Sequence, residues 1–183
     1  MSNPKLVWID LEMTGLGDNH VILEIASLVT DHHLEILQEG PNLAIKRTLS
    51  EINSIPIEAW SKNQHTSSGL LERVENSETN ILKAETMTLN FLDQWTEKEK
   101  SPLCGNSIWV DRKFLRKEMP RLESYLNYRM IDVSTIKELM KRWYPDLELP
   151  KKRKTHLALD DIRESVNELK WYRDNIFKNS IFT

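Results

Sequence analysis

The stretch "LVWIDLEMTG", residues 6–15, constrains this chain more than any other. Leu6, Val7, Trp8, Ile9, Leu11 and Met13 read as a buried strand, yet Asp10 and Glu12 are set into it. Side chains alternate across a strand, so the two acids share one face, ~6–7 Å apart along the chain. Leu11 and Met13 take the other face. Two bare carboxylates so placed repel each other and resist burial. A hard divalent cation between them removes both penalties, and Mg²⁺ and Mn²⁺ prefer oxygen ligands. An edge strand with its acids in water would show the same D-x-E, so partners must come from elsewhere in the chain.

Asp111 follows "CGNSIWV" at a strand-to-helix junction, Asp132 lies within "MIDVS", and Asp160 and Asp161 open the last helix. With the apolar face of that helix set by Ile162, Val166 and Leu169, a step of ~100° per residue puts Asp160 nearly opposite, in solvent. Asp161 falls at the edge, able to lean toward a sheet. Asp132 fits a structural acid paired with a neighbour. His156, in "KTHLALDD", precedes Asp161 by five positions. A neutral imidazole beside a metal-bound water suits a general base, because its pKa lies near working pH.

The surrounding chain reads as α/β. Strands are expected at 5–11 and 21–31, then in "ILQEGPNLAIKR" with a turn near Gly40-Pro41, which suggests an antiparallel meander. Residues 51–75 read as short helices and loops. A helix is expected over 77–100 with Ser77 as N-cap, and Ile81, Ala84, Leu92 and Trp95 on one side. A short strand (102–108) then leads into the helix "VDRKFLRKEM". A strand at 128–134 is followed by a helix capped by Ser134. "PDLELPKKRKTH" reads as a loop and "LALDDIRESVNELKWYRDNIF" as the last helix. Strands first, then helix and strand in alternation, indicate a mixed sheet covered by helices.

The chain has 183 residues, ordinary for one domain spanning 1–183, with 39% hydrophobic and 29% charged residues. The single Cys104 excludes an internal disulfide and a cysteine-rich zinc site. With no apolar run of membrane-spanning length and no basic-then-apolar leader, the expected setting is the cytoplasm, without membrane attachment. A net charge of −3 argues against a coat on long duplexes, whose binding rests on many Lys and Arg contacts. A short nucleic acid held in a small pocket remains compatible.

D-x-E on the first strand, a central Asp, and H-x4-D at the last helix resemble the DEDDh 3′→5′ exonucleases of the ribonuclease H-like fold. "WIDLEMTGL", "EIASLVTD", "HTSSGLLERV", "CGNSI", "YRMIDVSTIKEL" and "DDIRESVNEL" further resemble the oligoribonuclease family, in order and over nearly the whole chain. The resemblance implies that Asp10, Glu12, Asp111 and Asp161 hold two Mg²⁺ or Mn²⁺ ions and that His156 deprotonates the attacking water. It implies single-stranded RNA substrates of about 2–5 nucleotides, dinucleotides especially, cut from the 3′ end to 5′ mononucleotides. Leu16 would wedge between bases and Trp60 stack on one, unless Trp60 packs in the core; its polar surroundings "EAWSKNQH" favour exposure. His65 corresponds to a residue near the scissile phosphate. Ser107 and Arg129 correspond to residues that grip the 5′ phosphate, helped by Ser134 or Thr135, although Ser134 also fits a helix N-cap. Arg suits this task because its planar fork binds phosphate oxygens in pairs.

Family members act as homodimers, in which the equivalents of Tyr128 and Arg129 reach the partner's site, and the resemblance implies the same here. Trp143 and Tyr144 suit either an interface or a core. Trp109 and Val110 depart from the smaller or more polar pair expected there, and a bulky Trp109 would narrow the pocket or pack behind it. Lys151, Lys152, Arg153 and Lys154 form a basic run that reads as a solvated loop or an attractor of RNA phosphate. The competing expectations are a related exonuclease acting on DNA or longer RNA 3′ ends, and a silent nucleic-acid-binding module. The complete set of four acids plus His156 argues against the second.

Overall fold

The structure, a computed structural model, describes residues 4–48, 51, 57–150 and 157–177. Three strands come first: β1 (Leu6–Met13), β2 (Ile22–Thr30) and β3 (Ile36–Ala44). Helices α1 (Ala59–Ser67), α2 (Leu70–Asn76) and α3 (Ile81–Asp93) follow. Then come β4 (Leu103–Gly105), α4 (Trp109–Glu118), α5 (Pro120–Tyr125), β5 (Met130–Asp132), α6 (Val133–Trp143) and α7 (Ala158–Tyr172). A π-helical turn, Arg173–Phe177, extends α7.

The sheet runs β3-β2-β1-β4-β5. β1–β2 and β2–β3 are antiparallel, while β1–β4 and β4–β5 are parallel. The expected meander followed by parallel strands is therefore present, with β1 at the join. Pleating sends Val7, Ile9, Leu11 and Met13 into one core with Ala84, Leu92, Phe114 and Leu122 from α3, α4 and α5. Leu6 and Trp8 face the other way, into a core with Val133, Met140, Ile162 and Val166 from α6 and α7. Asp10 and Glu12 continue this second face toward the start of α7. The acids therefore stand where a two-sided core gives out, beyond the last large apolar residue of their face.

Several boundaries differ from the sequence reading. β3 passes through Gly40-Pro41 without turning, and shifts in the β2–β3 register absorb the irregularity. Glycine is required there: a Cβ on Gly40 would lie 2.4 Å from the Phe91 ring and 2.5 Å from Ser27 Oγ. Ser77 ends α2, and Asn80 caps α3 by accepting from Lys83 N, so the expected 77–100 helix is shorter. α6 begins at Val133, not beyond Ser134, because Asp132 is its N-cap and accepts from Ser134 N. α5 went unanticipated: its first turn is capped by buried Glu85 of α3, which accepts from Arg121 N and Leu122 N, a contact 36 residues away in sequence. His156 and the basic run 151–154 lie outside the described residues. Among the described residues, no helix is long and apolar enough to cross a membrane.

Candidate active site

Asp10, Glu12 and Asp161 meet at the end of β1, each offering an oxygen within 4.8 Å of the others'. The strand pleat supplies the first two, and the N-terminal turn of α7 supplies the third. Asp160, its neighbour, points away and accepts from Arg163 Nη1 at 2.7 Å, as the helical wheel requires. Arg163 also grips Glu39 on β3, which fixes the rotation of α7 about its axis.

Asp111 reaches the same strand end from behind. Among the described residues, β4 pairs with β1 only at Val7 and Trp8, and no strand pairs with the β1 edge beyond them on that side. Asp111 Oδ1 fills the gap by accepting from Leu11 N at 3.0 Å. The residue is 6% exposed and stands outside the close trio of acids. Burial raises its pKa to about 7, against the lowering effect of the Leu11 N–H and its own backbone N–H, with Asp132 adding repulsion.

Glu12 is strongly perturbed. Burial first, then Asp161, Glu24 and Asp111, push its pKa up to about 8, with Arg73 working in the opposite direction. Such a carboxyl lacks positive charge. A cation among Asp10, Glu12 and Asp161 supplies it, and an all-oxygen donor set suits Mg²⁺ or Mn²⁺. The residues thus fit the expected divalent metal.

Behind Glu12 lies a pair that the sequence reading missed. Glu24, directly opposite Glu12 in the β1–β2 register, is fully buried and accepts from Arg73 Nη1 at 2.5 Å. The signal was available: an acid within the apolar run "VILEIASLV" is the same anomaly as D-x-E. His65 is buried as well. Its Nε2–H donates to the Met13 carbonyl at 2.8 Å, and its Nδ1 stands 3.7 Å from Glu12. It therefore buttresses the strand end and stands beside Glu12.

The remaining expected residues line the surroundings. Leu16, 61% exposed, stands on the β1–β2 turn. That turn is pinned to α4 by Lys113 Nζ on the Leu16 carbonyl (3.1 Å) and Lys117 Nζ on the Asp18 and His20 carbonyls (2.7 and 2.9 Å). Trp60, 63% exposed near the start of α1, is not a core residue. Glu58 N donates to the Thr14 carbonyl at 2.8 Å, which brings α1 alongside the end of β1. Gly15 permits the approach, since a Cβ there would lie 2.6 Å from the Glu58 carboxylate and from the His20 ring.

Ser107 adopts φ +51°, and its N–H donates to Asp132 Oδ1 at 2.9 Å. Ser107 Oγ donates to Ser134 Oγ (3.2 Å), and Ser134 Oγ donates to Asn106 Oδ1 (3.0 Å). Asn106 Nδ2 in turn reaches Ser165 Oγ on α7 at 2.6 Å. Asp132 is thus the structural acid expected, a clamp joining the Ser107 turn to α6. Tyr128 is 72% exposed, and the exposed Arg129 guanidinium lies 4.6 Å from its ring centroid. Trp109 is 59% exposed at the first position of α4, so it does not join the core. Trp143 and Tyr144 are also exposed.

A profile of the Exonuclease family matches residues 7–169. Oligoribonuclease of Vibrio campbellii is 54% identical over 179 residues, 97% of this chain and 98% of that protein. Oligoribonuclease of Dichelobacter nodosus is 54% identical over 176 residues, 96% of each chain. Oligoribonuclease of Pseudomonas aeruginosa is 52% identical over 181 residues, 97% of this chain and 99% of that one. Among solved structures, zinc-bound Escherichia coli exonuclease I with single-stranded DNA superposes with a TM-score of 0.74 at 13% identity, over 97% of this chain and 42% of that one. Exonuclease I of Methylocaldum szegediense gives 0.70 at 16% identity, over 96% and 41%. At those identities the structures speak to the fold alone, the ribonuclease H-like α/β sheet. With an acid-lined strand end built on that sheet and more than half of its residues shared with these relatives along nearly its whole length, the chain belongs to the oligoribonuclease family of exonucleases.

Proposed function

We propose that the protein is a 3′→5′ exoribonuclease that finishes RNA degradation by cutting very short single strands, dinucleotides above all, to 5′ mononucleotides. The observation that carries this reading is the convergence of Asp10, Glu12 and Asp161 at the end of β1, with Asp111 fastened behind them. The four acids would hold two Mg²⁺ or Mn²⁺ ions. Such ions, when bound, lower the pKa of an attacking water and offset charge building on the phosphate.

The chain's own groups do the rest. His156, five residues before Asp161, takes the proton of the water. His65, beside Glu12, holds it in place. Leu16 and Trp60 frame the bases, and stacking of this kind is worth ~1–3 kcal/mol per base. Arg129, Ser107 and Ser134 close on the 5′ phosphate and so measure substrate length from the far end. Arg129 stacked on Tyr128 is already extended into solvent, as suits an arm that serves the partner's site in a homodimer. A cytoplasmic setting fits the buried, unpaired thiol of Cys104.

A time course with 5′-labelled RNAs of two to ten nucleotides in Mn²⁺ tests the reading. Initial rates should be highest for the dinucleotide and fall steeply with length. Equal rates on the dinucleotide and the ten-mer would overturn the length selection and favour an exonuclease of longer 3′ ends.

A further inference from the structure

Arg112 sits between two residues already described. Asp111 before it holds the Leu11 backbone, and Lys113 after it holds the Leu16 carbonyl. Arg112 itself is 8% exposed, which is unusual for arginine. Its Nε donates to Glu123 Oε1 at 3.0 Å. Its Nη1 points into a cluster of three successive carbonyls, those of Asn127 (2.9 Å), Tyr128 (3.0 Å) and, more distantly, Arg129 (3.4 Å). Three carbonyl oxygens turned toward one point repel one another unless a cation sits among them. A planar guanidinium meets that demand and engages the Glu123 carboxylate in the same plane.

Pulling the carbonyls inward determines where the side chains go. Tyr128 and Arg129 project outward, and Arg129 is laid over the Tyr128 ring. The loop is closed further by Asn127, whose Oδ1 accepts from Arg129 N at 3.0 Å and whose N–H donates to the Ser101 carbonyl at 2.9 Å. Adjacent residues on α4 are ~100° apart, so Asp111 and Arg112 reach different neighbours from one rigid turn. We propose that Arg112 is a positioning residue, setting the Tyr128–Arg129 arm in fixed relation to the acidic strand so that Arg129 meets the 5′ phosphate of a short RNA. The proposal rests on the role given to Arg129 above, and it holds whichever protomer's site the arm serves.

The test is a set of initial-rate measurements on two RNA dinucleotides, one with a 5′ phosphate and one with a 5′ hydroxyl, in saturating Mn²⁺. Arg129→Ala should raise KM for the phosphorylated dinucleotide and erase the preference for it. Arg112→Lys keeps the charge but not the fork. It should raise the same KM roughly tenfold, the scale of one displaced charge-assisted hydrogen bond. It should leave kcat on both substrates, and KM for the hydroxyl form, within about twofold. Added to Arg129→Ala, it should cost nothing further.

If Arg129→Ala leaves the phosphate preference intact, the phosphate-gripping role fails and the inference falls with it. If Arg129→Ala loses the preference while Arg112→Lys keeps it, lowers kcat on both substrates alike, or adds fully to Arg129→Ala, the inference alone is overturned. Should Arg112→Lys not fold, Glu123→Gln provides the second route, since it weakens the hold on Arg112 Nε. It should raise KM for the phosphorylated form selectively, while Arg116→Ala, which removes the exposed partner of Glu123 (3.2 Å), should not. An unchanged phosphate preference in Glu123→Gln would also overturn the inference.

Discussion

Replacing Glu12 by Gln should make the metal-free protein more stable while destroying its activity. Glutamine keeps the shape of the side chain and removes the ionised form that its surroundings oppose. The folded-state pKa of Glu12 is raised from 4.5 to about 8 by burial and by Asp161, Glu24 and Asp111. A raised acid pKa means that the folded protein holds the proton more tightly than the unfolded chain. Stability linked to this group is therefore complete below pH 4.5 and lost as pH climbs toward 8. At 1.36 kcal/mol per pH unit, the wild type loses about 1 kcal/mol by pH 5 and about 4 kcal/mol by pH 8 relative to its fully protonated form. Glu12→Gln escapes that loss. In urea titrations with EDTA, its advantage over wild type should grow by about 3 kcal/mol between pH 5 and pH 8. Saturating Mn²⁺ should narrow that gap, because only the wild type retains the full set of acids for the ion, and ligand at a hundred times its Kd adds ~2.7 kcal/mol. A difference between the two proteins that does not change with pH in EDTA would refute the claim that Glu12 is electrostatically frustrated without metal.

Asp161→Asn should lower dinucleotide cleavage in Mn²⁺ by roughly a thousandfold or more, since it removes one of three converging oxygen donors; single-turnover rates decide it. Trp60→Ala should raise KM about tenfold with little change in melting temperature, because the ring is exposed and its proposed work is stacking on a base. Arg73→Met leaves the buried Glu24 carboxylate uncompensated and should cost about 3–5 kcal/mol in urea unfolding, whereas a loss near zero would mean that the pair is not coupled.

What could be read from the chain were features with a period. Alternation along "LVWIDLEM" placed both acids on one face before any partner was known, and the pleat places them so. The 3.6-residue repeat of α7 separated Asp160 from Asp161, and the two do part, one to Arg163 and one to the acids of β1. The order of strands and helices indicated a mixed sheet. These outcomes depend only on backbone geometry, which is the same wherever the element sits.

Contacts between distant segments were decided by the tertiary structure. That Glu24 stands behind Glu12 depends on the antiparallel register of β1 and β2. That Asp111 takes the Leu11 N–H depends on β4 pairing with β1 at only two residues. That His65 is buried with its ring on the Met13 carbonyl depends on α1 packing across the strand end. The Ser134 cap expected for α6 passed to Asp132, and α5 forms where Glu85, from another helix, caps its first turn. Arg112 looks in sequence like one more surface charge on an amphipathic helix. Only the fold brings three carbonyls, fifteen to seventeen residues away, onto its guanidinium. A sequence records which groups need neutralising, and the folded chain determines which partner does it.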